Sequence, residues 1–291
     1  MSLPHGAAVR RIGPREFDFS RQVAVMAIVN RTPDSFYDRG RTDSLDAAVA
    51  AAERAIGEGA DWIDVGGAKF APGPEIPVAE EIDRVVPVIA ALTGSGAVIS
   101  VDTFQPDVAR AAIGAGAHVV NDTTGLQDPA MADVVAETGA TVIVTHSLAA
   151  PRTPYPSPRY ADVVDEVVAF LRERVALAES RGVASDRIVV DPGHDLNKHT
   201  LHSLELTRRL REVTALGYPT LVALSNKDFV GESLGRPREQ RVEGSIAAAV
   251  YCVLQGARIV RVHNVRETVD AMRMVEAIEG WREPAYLEHN R

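Results

Sequence analysis

A set of polar residues stands where short apolar runs of this chain stop: Asn30, Asp102, Asn121, Asp191, Ser225 with Lys227, and Arg261 with His263. Carboxylates and amides gathered at one edge can grip the donors and acceptors of a heterocycle, and cations beside them can hold an anion. Asp191, in IVVDPGH, follows a run with no polar residue. A carboxylate there is costly unless N–H donors or a cation meet it, and capping the Asp-Pro-Gly turn is the competing role. Asp102, in AVISVDTF, either faces a ligand or caps a helix beginning near Pro106. Asn121, in HVVNDTTG, either offers its donor and acceptor to a ring edge or satisfies its own turn. The three together suit a 2-amino-4-oxo pyrimidine ring. Lys227, in LVALSNKDF, and Arg261 with His263, in IVRVHNV, form a cationic half that would meet an anion or the ring carbonyl. Arg261 has a rival use as an internal ion pair to Asp102 or Asp191.

These residues act together only if the elements behind them share one edge. Strand-like runs lie at 23–29, 62–65, 98–101, 118–120, 141–144, 188–190, 220–223 and 259–262. Helical spacing falls between them, at Leu45, Ala48, Ala52 and Ile56, at Val164, Val167, Val168, Leu171 and Val175, and at Leu206, Leu210 and Val213. It recurs at Ile246, Val250 and Val253 and at Val269, Met272 and Val275. Asp128 before Pro129 punctuates a further helix that Gly139 closes, with similar signals at Ser44 and Gly59. Eight strand-helix units predict an α/β fold, a single (β/α)8 TIM barrel, with the chemistry at the strand ends. One domain over 1–291 is expected, with a lead-in at 1–20 and a tail at 281–291. The proline-rich stretches at 71–77 and 150–158 each follow a strand and read as mouth loops able to close over a ligand.

Composition narrows the class. The chain has 291 residues, 46% hydrophobic and 24% charged, enough for a sizeable core. Its apolar runs fall far short of the roughly 20 residues of a membrane span, and MSLPHGAAVRR lacks a signal-peptide core, so a cytoplasmic protein with no membrane partner is expected. A net charge of -9 argues against nucleic acid as a partner. The single cysteine, Cys252, reads as buried helix packing. No His-x-His closes the first strand, and His199 and His202 lie one helical turn apart with solvated rings, so a metal hydrolase is not favoured.

Seven segments in order carry a family resemblance: MAIVNRTPDSFYDRG at 26–40, GADWIDVGG at 59–67, ISVDTF at 99–104, VNDTTGL at 120–126, VVDPG at 189–193, LVALSNKDFVG at 221–231 and RVHNV at 261–265. The chain resembles dihydropteroate synthase over nearly its whole length. That resemblance implies a homodimeric barrel of folate biosynthesis that joins 6-hydroxymethyl-7,8-dihydropterin pyrophosphate to p-aminobenzoate, with Mg2+ and release of pyrophosphate. It implies that Asp102, Asn121, Asp191 and Lys227 contact the pterin, that Arg261 and His263 hold pyrophosphate, and that Asn30 helps position the magnesium. Asp102, Lys227 and Arg261 become the catalytic residues. Asp102 would stabilise positive charge on the pterin methylene while Arg261, His263 and magnesium stabilise the leaving group.

The chain also departs from the family. Where the family reads Gly-Glu-Ser-Thr-Arg-Pro-Gly, this chain reads Gly67, Ala68, Lys69, Phe70, Ala71, Pro72, Gly73. A glycine-and-aromatic turn after Asp191 is replaced by His194, Asp195, Leu196, Asn197 and Lys198, and Ser-Arg-Lys by Ser225, Asn226, Lys227. A methionine-flanked histidine becomes Thr145, His146, Ser147. The changes gather on the p-aminobenzoate side, at Ser225, Asn226, Lys69 and His194. The expectation is a divergent paralogue that keeps the pterin site with ordinary synthase activity weak or absent. Transfer to a different amine, a methyltetrahydrofolate-binding methyltransferase domain and a non-catalytic pterin binder are the alternatives.

Overall fold

The computed structural model describes residues 8–31, 44–68, 72–155 and 157–289. Eight parallel strands follow one another around a nearly closed barrel: β3 (Ala24–Asn30), β4 (Trp62–Gly66), β5 (Val98–Asp102), β6 (Val119–Asp122), β7 (Thr141–Thr145), β8 (Ile188–Asp191), β9 (Leu221–Val222) and β10 (Ile259–Val262). β10 pairs with both β9 and β3, and the Val190 N–H to Pro219 carbonyl bond of 3.0 Å draws β8 to the approach of β9. The expected strands are all present, and the barrel follows from alternation alone: each run is too short to cover both its own faces, so helices must cover the outside.

Those helices are α1 (Leu45–Gly57), α2 (Val78–Ala91), α3 (Pro106–Gly114), α4 (Ala130–Thr138), α5 (Val163–Ser180), α6 (Thr200–Arg208), α7 (Leu210–Thr214), α8 (Asp228–Leu234), α9 (Val242–Leu254) and α10 (Val265–Ile278). Ser44 caps α1 by accepting from the Ala47 N–H at 3.2 Å, Asp128 accepts from the Ala130 N–H at 2.9 Å, and Gly139 ends α4 in the left-handed region at φ 69°. The single helix expected across Leu206, Leu210 and Val213 is two, breaking at Arg209, whose guanidinium is held by Asp162 and Glu212. His199 is the N-cap of α6 rather than a residue inside it; its exposed ring stacks on the half-buried ring of His202 at 3.4 Å. Helix α2, which was not among the expected helices, is amphipathic, with Val85, Val88 and Ile89 buried and Pro87 inside it. Cys252 is fully buried on α9, and burial pushes its thiol up to about 12.

The lead-in is more than a lead-in. Residues 9–18 make an antiparallel hairpin of β1 (Val9–Ile12) and β2 (Arg15–Asp18). Ile12, Phe17 and Phe19 close the barrel's lower end, packing with Met26, Trp62, Val98, Val119, Ile143, Val189, Leu221 and Ile259. Phe17 lies 5.5 Å from Phe19 and 5.8 Å from Trp62 between ring centroids. The barrel interior is therefore apolar below, which leaves the upper end to polar residues. Among the described residues no helix is long and apolar enough to cross a membrane. Removing the plug with Phe17→Ala is expected to cost about 3–5 kcal/mol, read as a lower urea midpoint; an unchanged midpoint would show that the hairpin is an ornament.

Candidate active site

Alternation along each strand decides which side chains enter the barrel. Trp62, Val98, Val119, Val189 and Ile259 belong to the lower interior, so two residues further on, Asp64, Ser100, Asn121, Asp191 and Arg261 face inward one level higher. Asp102, Thr145, Ser225 and His263 continue the same faces to the mouth, while Ile63, Val65, Val120 and Val190 face the helices. The polar residues singled out at the strand ends thus gather at one end of the barrel.

At its centre lies Arg261. Its Nε donates to Asp64 Oδ2 at 2.7 Å and its Nη2 to Asp102 Oδ2 at 2.7 Å. Of the two partners anticipated for Arg261, Asp102 is realised and Asp191 makes no direct pair; Asp64 takes the second place. Asn121 Nδ2 donates to the same Asp64 oxygen at 3.0 Å. Asp64 is completely buried and its Oδ1 has no hydrogen-bond partner among the described residues. Burial pushes the Asp102 carboxyl up to about 7; Arg261 opposes this, and Asp64, Glu81 and Asp122 add to it. Burial works against the charge on Arg261 as well, but Asp64 and Asp102 hold its pKa above the ordinary value. Asp102 caps no helix, since α3 begins at Gln105 without a side-chain cap. Gly66 permits this crowding: a Cβ there would sit 2.8 Å from Asn30 Oδ1 and 3.6 Å from Asp102 Cβ.

The remaining candidates ring this clamp. Asp191 is buried, and its Oδ1 accepts from the Gly193 N–H at 2.7 Å, so the turn role is real at one oxygen. Burial raises its pKa, opposed by the Gly193 N–H, Lys227, Lys198 and Arg261. Lys227 donates Nζ to the His194 carbonyl, and burial lowers its pKa against Asp195 and Asp191. Ser225 Oγ lies 3.1 Å from His263 Nδ1; burial, Arg261, Arg238 and Lys227 bring His263 down to about 3. Asn226, at φ 58°, donates Nδ2 to Asn264 Oδ1 at 3.2 Å and leaves its own Oδ1 buried and unpartnered among the described residues. His194 is fully buried with neither ring nitrogen hydrogen-bonded among the described residues, and burial with Lys227 and Lys198 holds its pKa far below the ordinary value. Lys69 lies outside the described residues, as do residues 32–43 after β3.

Two groups that sequence reasoning passed over belong here. Asp64 was visible as the only charge inside the run WIDVG, at inward parity. Lys198 had no such signal: its ammonium donates to His146 Nδ1 at 2.8 Å, the Gly193 carbonyl at 2.9 Å and the Leu196 carbonyl at 3.1 Å, which straps the turn carrying Asp191 and His194. Burial brings Lys198 to about 7 and His146 to about 2. The two proline-rich loops meet: Arg152 Nη2 donates to the Pro74 carbonyl at 2.9 Å and the Gly73 N–H to the Arg152 carbonyl at 3.2 Å. Among the described residues no three His, Cys, Asp or Glu side chains form a metal cage. A magnesium ion that draws most of its ligands from phosphate and water needs no cage, and the Asn30 carboxamide oxygen at the end of β3 is a suitable hard ligand.

Such an arrangement gathers donors and acceptors at one end of the barrel around a guanidinium already paired with two carboxylates. The profile of a family described as pterin binding enzyme matches residues 26–263. A protein named inactive dihydropteroate synthase 2, from Mycobacterium leprae, is 47% identical over 267 residues, covering 89% of this chain and 92% of the relative. Dihydropteroate synthase from Escherichia coli is 43% identical over 255 residues, covering 87% of this chain and 90% of that one. Dihydropteroate synthase from Xanthomonas albilineans, solved with 4-aminobenzoic acid, superposes with a TM-score of 0.86 at 41% identity, over 94% of this chain and 99% of the other.

The buried histidines give this site a titration signature. A free imidazole takes up its proton near pH 6.5, whereas His263 waits until about 3 and His146 until about 2. Ring signals of both in a heteronuclear NMR titration should stay those of neutral imidazole from about pH 8 to about pH 4. Since the unfolded chain binds protons in that window and the folded one does not, both withdraw stability as pH falls below about 6.5. Protonation near pH 6 would contradict their burial.

Proposed function

The chain belongs to the family of pterin-binding enzymes, and from that premise we propose that its barrel mouth binds 6-hydroxymethyl-7,8-dihydropterin pyrophosphate. The observation that carries this reading is the ring of buried Asp64, Asn121 and Asp191 with half-buried Asp102 around Arg261. A carboxylate at Asp191 suits the ring's amino and N3 hydrogens, and Asn121 both donates and accepts beside it. Asp64 Oδ1 and the hydroxyls of Ser100 and Thr145, buried and without hydrogen-bond partners among the described residues, are further acceptors and donors that a polar heterocycle would satisfy. Lys227 stands near the ring carbonyl, and Arg261 with His263 and Asn30 faces the pyrophosphate.

In the family's reaction an amine lone pair forms a C–N bond at the pterin methylene while the C–O bond breaks, the electron pair leaves with pyrophosphate and the amine gives up one proton. Asp102, sharing Arg261 with Asp64, supplies negative charge beside that methylene. His263 is neutral and donates or accepts a hydrogen bond without adding charge. Asn30 would help hold a magnesium ion there, which would supply neutralising charge to the leaving group.

Ordinary synthase activity is weak or absent in this reading. The threonine and arginine of the second mouth loop are replaced by Phe70 and Ala71, and the relative from Mycobacterium leprae carries the word inactive in its name. The same reading makes the chain one barrel domain, cytoplasmic and homodimeric; exposed Tyr251 and Leu254 on α9 and Met274 and Ile278 on α10 support a self-association face.

Calorimetry with the pterin pyrophosphate and magnesium should register binding, and Asp191→Asn should weaken it about 10–100-fold by removing a charge-assisted partner. With p-aminobenzoate added, pyrophosphate release is expected about a hundredfold or more below that of the Escherichia coli relative. A comparable rate would sink the reading of weak activity, and absence of pterin binding would sink the site itself.

A further inference from the structure

The turn that follows β8 is organised by a buried ammonium. Lys198 Nζ donates to His146 Nδ1 at 2.8 Å, to the Gly193 carbonyl at 2.9 Å and to the Leu196 carbonyl at 3.1 Å. An ammonium has three hydrogens and no lone pair, so these three acceptors exhaust it. Since it can only donate, His146 Nδ1 must accept, which places the imidazole proton of His146 on Nε2. The ring is buried against Phe170 at 4.8 Å and Tyr160 at 6.1 Å between centroids, so its orientation is fixed.

Gly193 is gripped at both its polar groups, its N–H by Asp191 Oδ1 at 2.7 Å and its carbonyl by Lys198. It lies at φ 67°, and a Cβ there would stand 2.1 Å from the His146 carbonyl oxygen, so only glycine fits. From the other side the His146 N–H donates to the Asp191 carbonyl at 2.9 Å. Backbone and ring of His146 therefore hold the two ends of one turn, with Lys198 as the link. A second brace runs through Asn197, whose Oδ1 accepts from the Leu148 and Ala149 N–H groups at 2.9 and 3.0 Å and whose carbonyl accepts from the Tyr160 hydroxyl at 2.9 Å. Those bonds tie the turn to the loop after β7 without passing through Gly193.

We propose that Lys198 is a positioning residue of the ligand site, which sets the direction of the Asp191 carboxylate through Gly193 and is itself anchored by the Nε2–H tautomer of His146. This rests on the pterin-binding reading above. A carboxylate that accepts from two adjacent ring N–H groups must lie near the plane of the ring, and the Gly193 N–H is the hydrogen bond that sets its tilt. Lys227 and Arg261 favour an ionised Asp191 just as Lys198 does, so charge is not what distinguishes Lys198; its hold on Gly193 is. Without the ammonium the Gly193 peptide can turn, and the carboxylate turns with it. A lysine that served stability alone would leave ligand binding by the folded protein unchanged.

The test is calorimetry on the full chain with 6-hydroxymethyl-7,8-dihydropterin, which has no leaving group, near pH 6, below the value of about 7 to which burial brings Lys198. Lys198→Met keeps an apolar stem and removes the three donors; it should bind the pterin about tenfold or more weakly than the unmodified chain. In an Asp191→Asn background the same change should cost about twofold or less, because its effect passes through the carboxylate. Tyr160→Phe removes a bond of the second brace and should leave affinity within about twofold. Thermal midpoints identify the folded variants, and Lys198→Gln, shorter and uncharged, replaces Lys198→Met if that variant does not fold. Nitrogen chemical shifts of the unmodified chain should show the His146 proton on Nε2. Full pterin affinity in the folded Lys198 variant, an equal loss in the Asp191→Asn background, a loss in Tyr160→Phe as large as that in the Lys198 variant, or a His146 protonated at Nδ1 would each overturn the proposal. An unmodified chain that does not bind the pterin is a separate result, which overturns the reading beneath and the proposal with it.

Discussion

Everything at the mouth of this barrel depends on Arg261 holding Asp64 and Asp102 at once. Two carboxylates facing the axis of a barrel cannot both remain ionised without a cation between them, and a guanidinium presents the flat fork that two separated oxygens need. The clamp ties β10 to β4 and β5 through side chains as well as through the sheet. Removing Arg261 leaves both carboxylates without their cation, a loss of about 3–5 kcal/mol in comparable settings. Arg261 is thus already spoken for before any ligand arrives, which makes the cavity less cationic than its arginine, lysine and histidine content suggests.

That constraint shapes what the site can hold. The Asp102 carboxyl, pushed up to about 7 by burial, keeps the clamp near charge balance, so a neutral ring with several N–H and C=O groups fits the interior better than a highly charged one. In the proposed complex the pyrophosphate meets Asn30, His263 and Arg261, and Lys227 meets the ring carbonyl. The apolar lower interior and its hairpin plug support this division, because they let polar residues occupy only the upper level of the barrel. On the side facing α8 the same economy runs the other way: Asp195 satisfies backbone donors with a charge of the chain's own.

Much of this was legible in the sequence, and the limits have physical causes. Strand count and the polar strand ends follow from short apolar runs buried on both faces, and a parallel barrel leaves few other ways to arrange them. The plug at residues 9–18 was hidden because its apolar residues, Ile12, Phe17 and Phe19, are separated by charges that face solvent. Asp64 was quoted within a motif yet not singled out, since it lies inside its strand rather than at the end. Lys198 and Asp195 depend on bonds between segments distant along the chain, to His146 and to Asp228, and no local pattern announces such a bond. Lys69 and residues 32–43 stand outside the described residues.

The central claim is that the ring of polar residues around Arg261 is a pterin site. A crystal structure of the chain with bound 6-hydroxymethyl-7,8-dihydropterin pyrophosphate and magnesium tests it most directly. The account predicts the pterin edge within about 3 Å of Asp102, Asn121 and Asp191, with the pyrophosphate at the rim by Asn30 and His263. A pterin bound outside the barrel axis, with Asn121 and Asp191 facing only water, would contradict it.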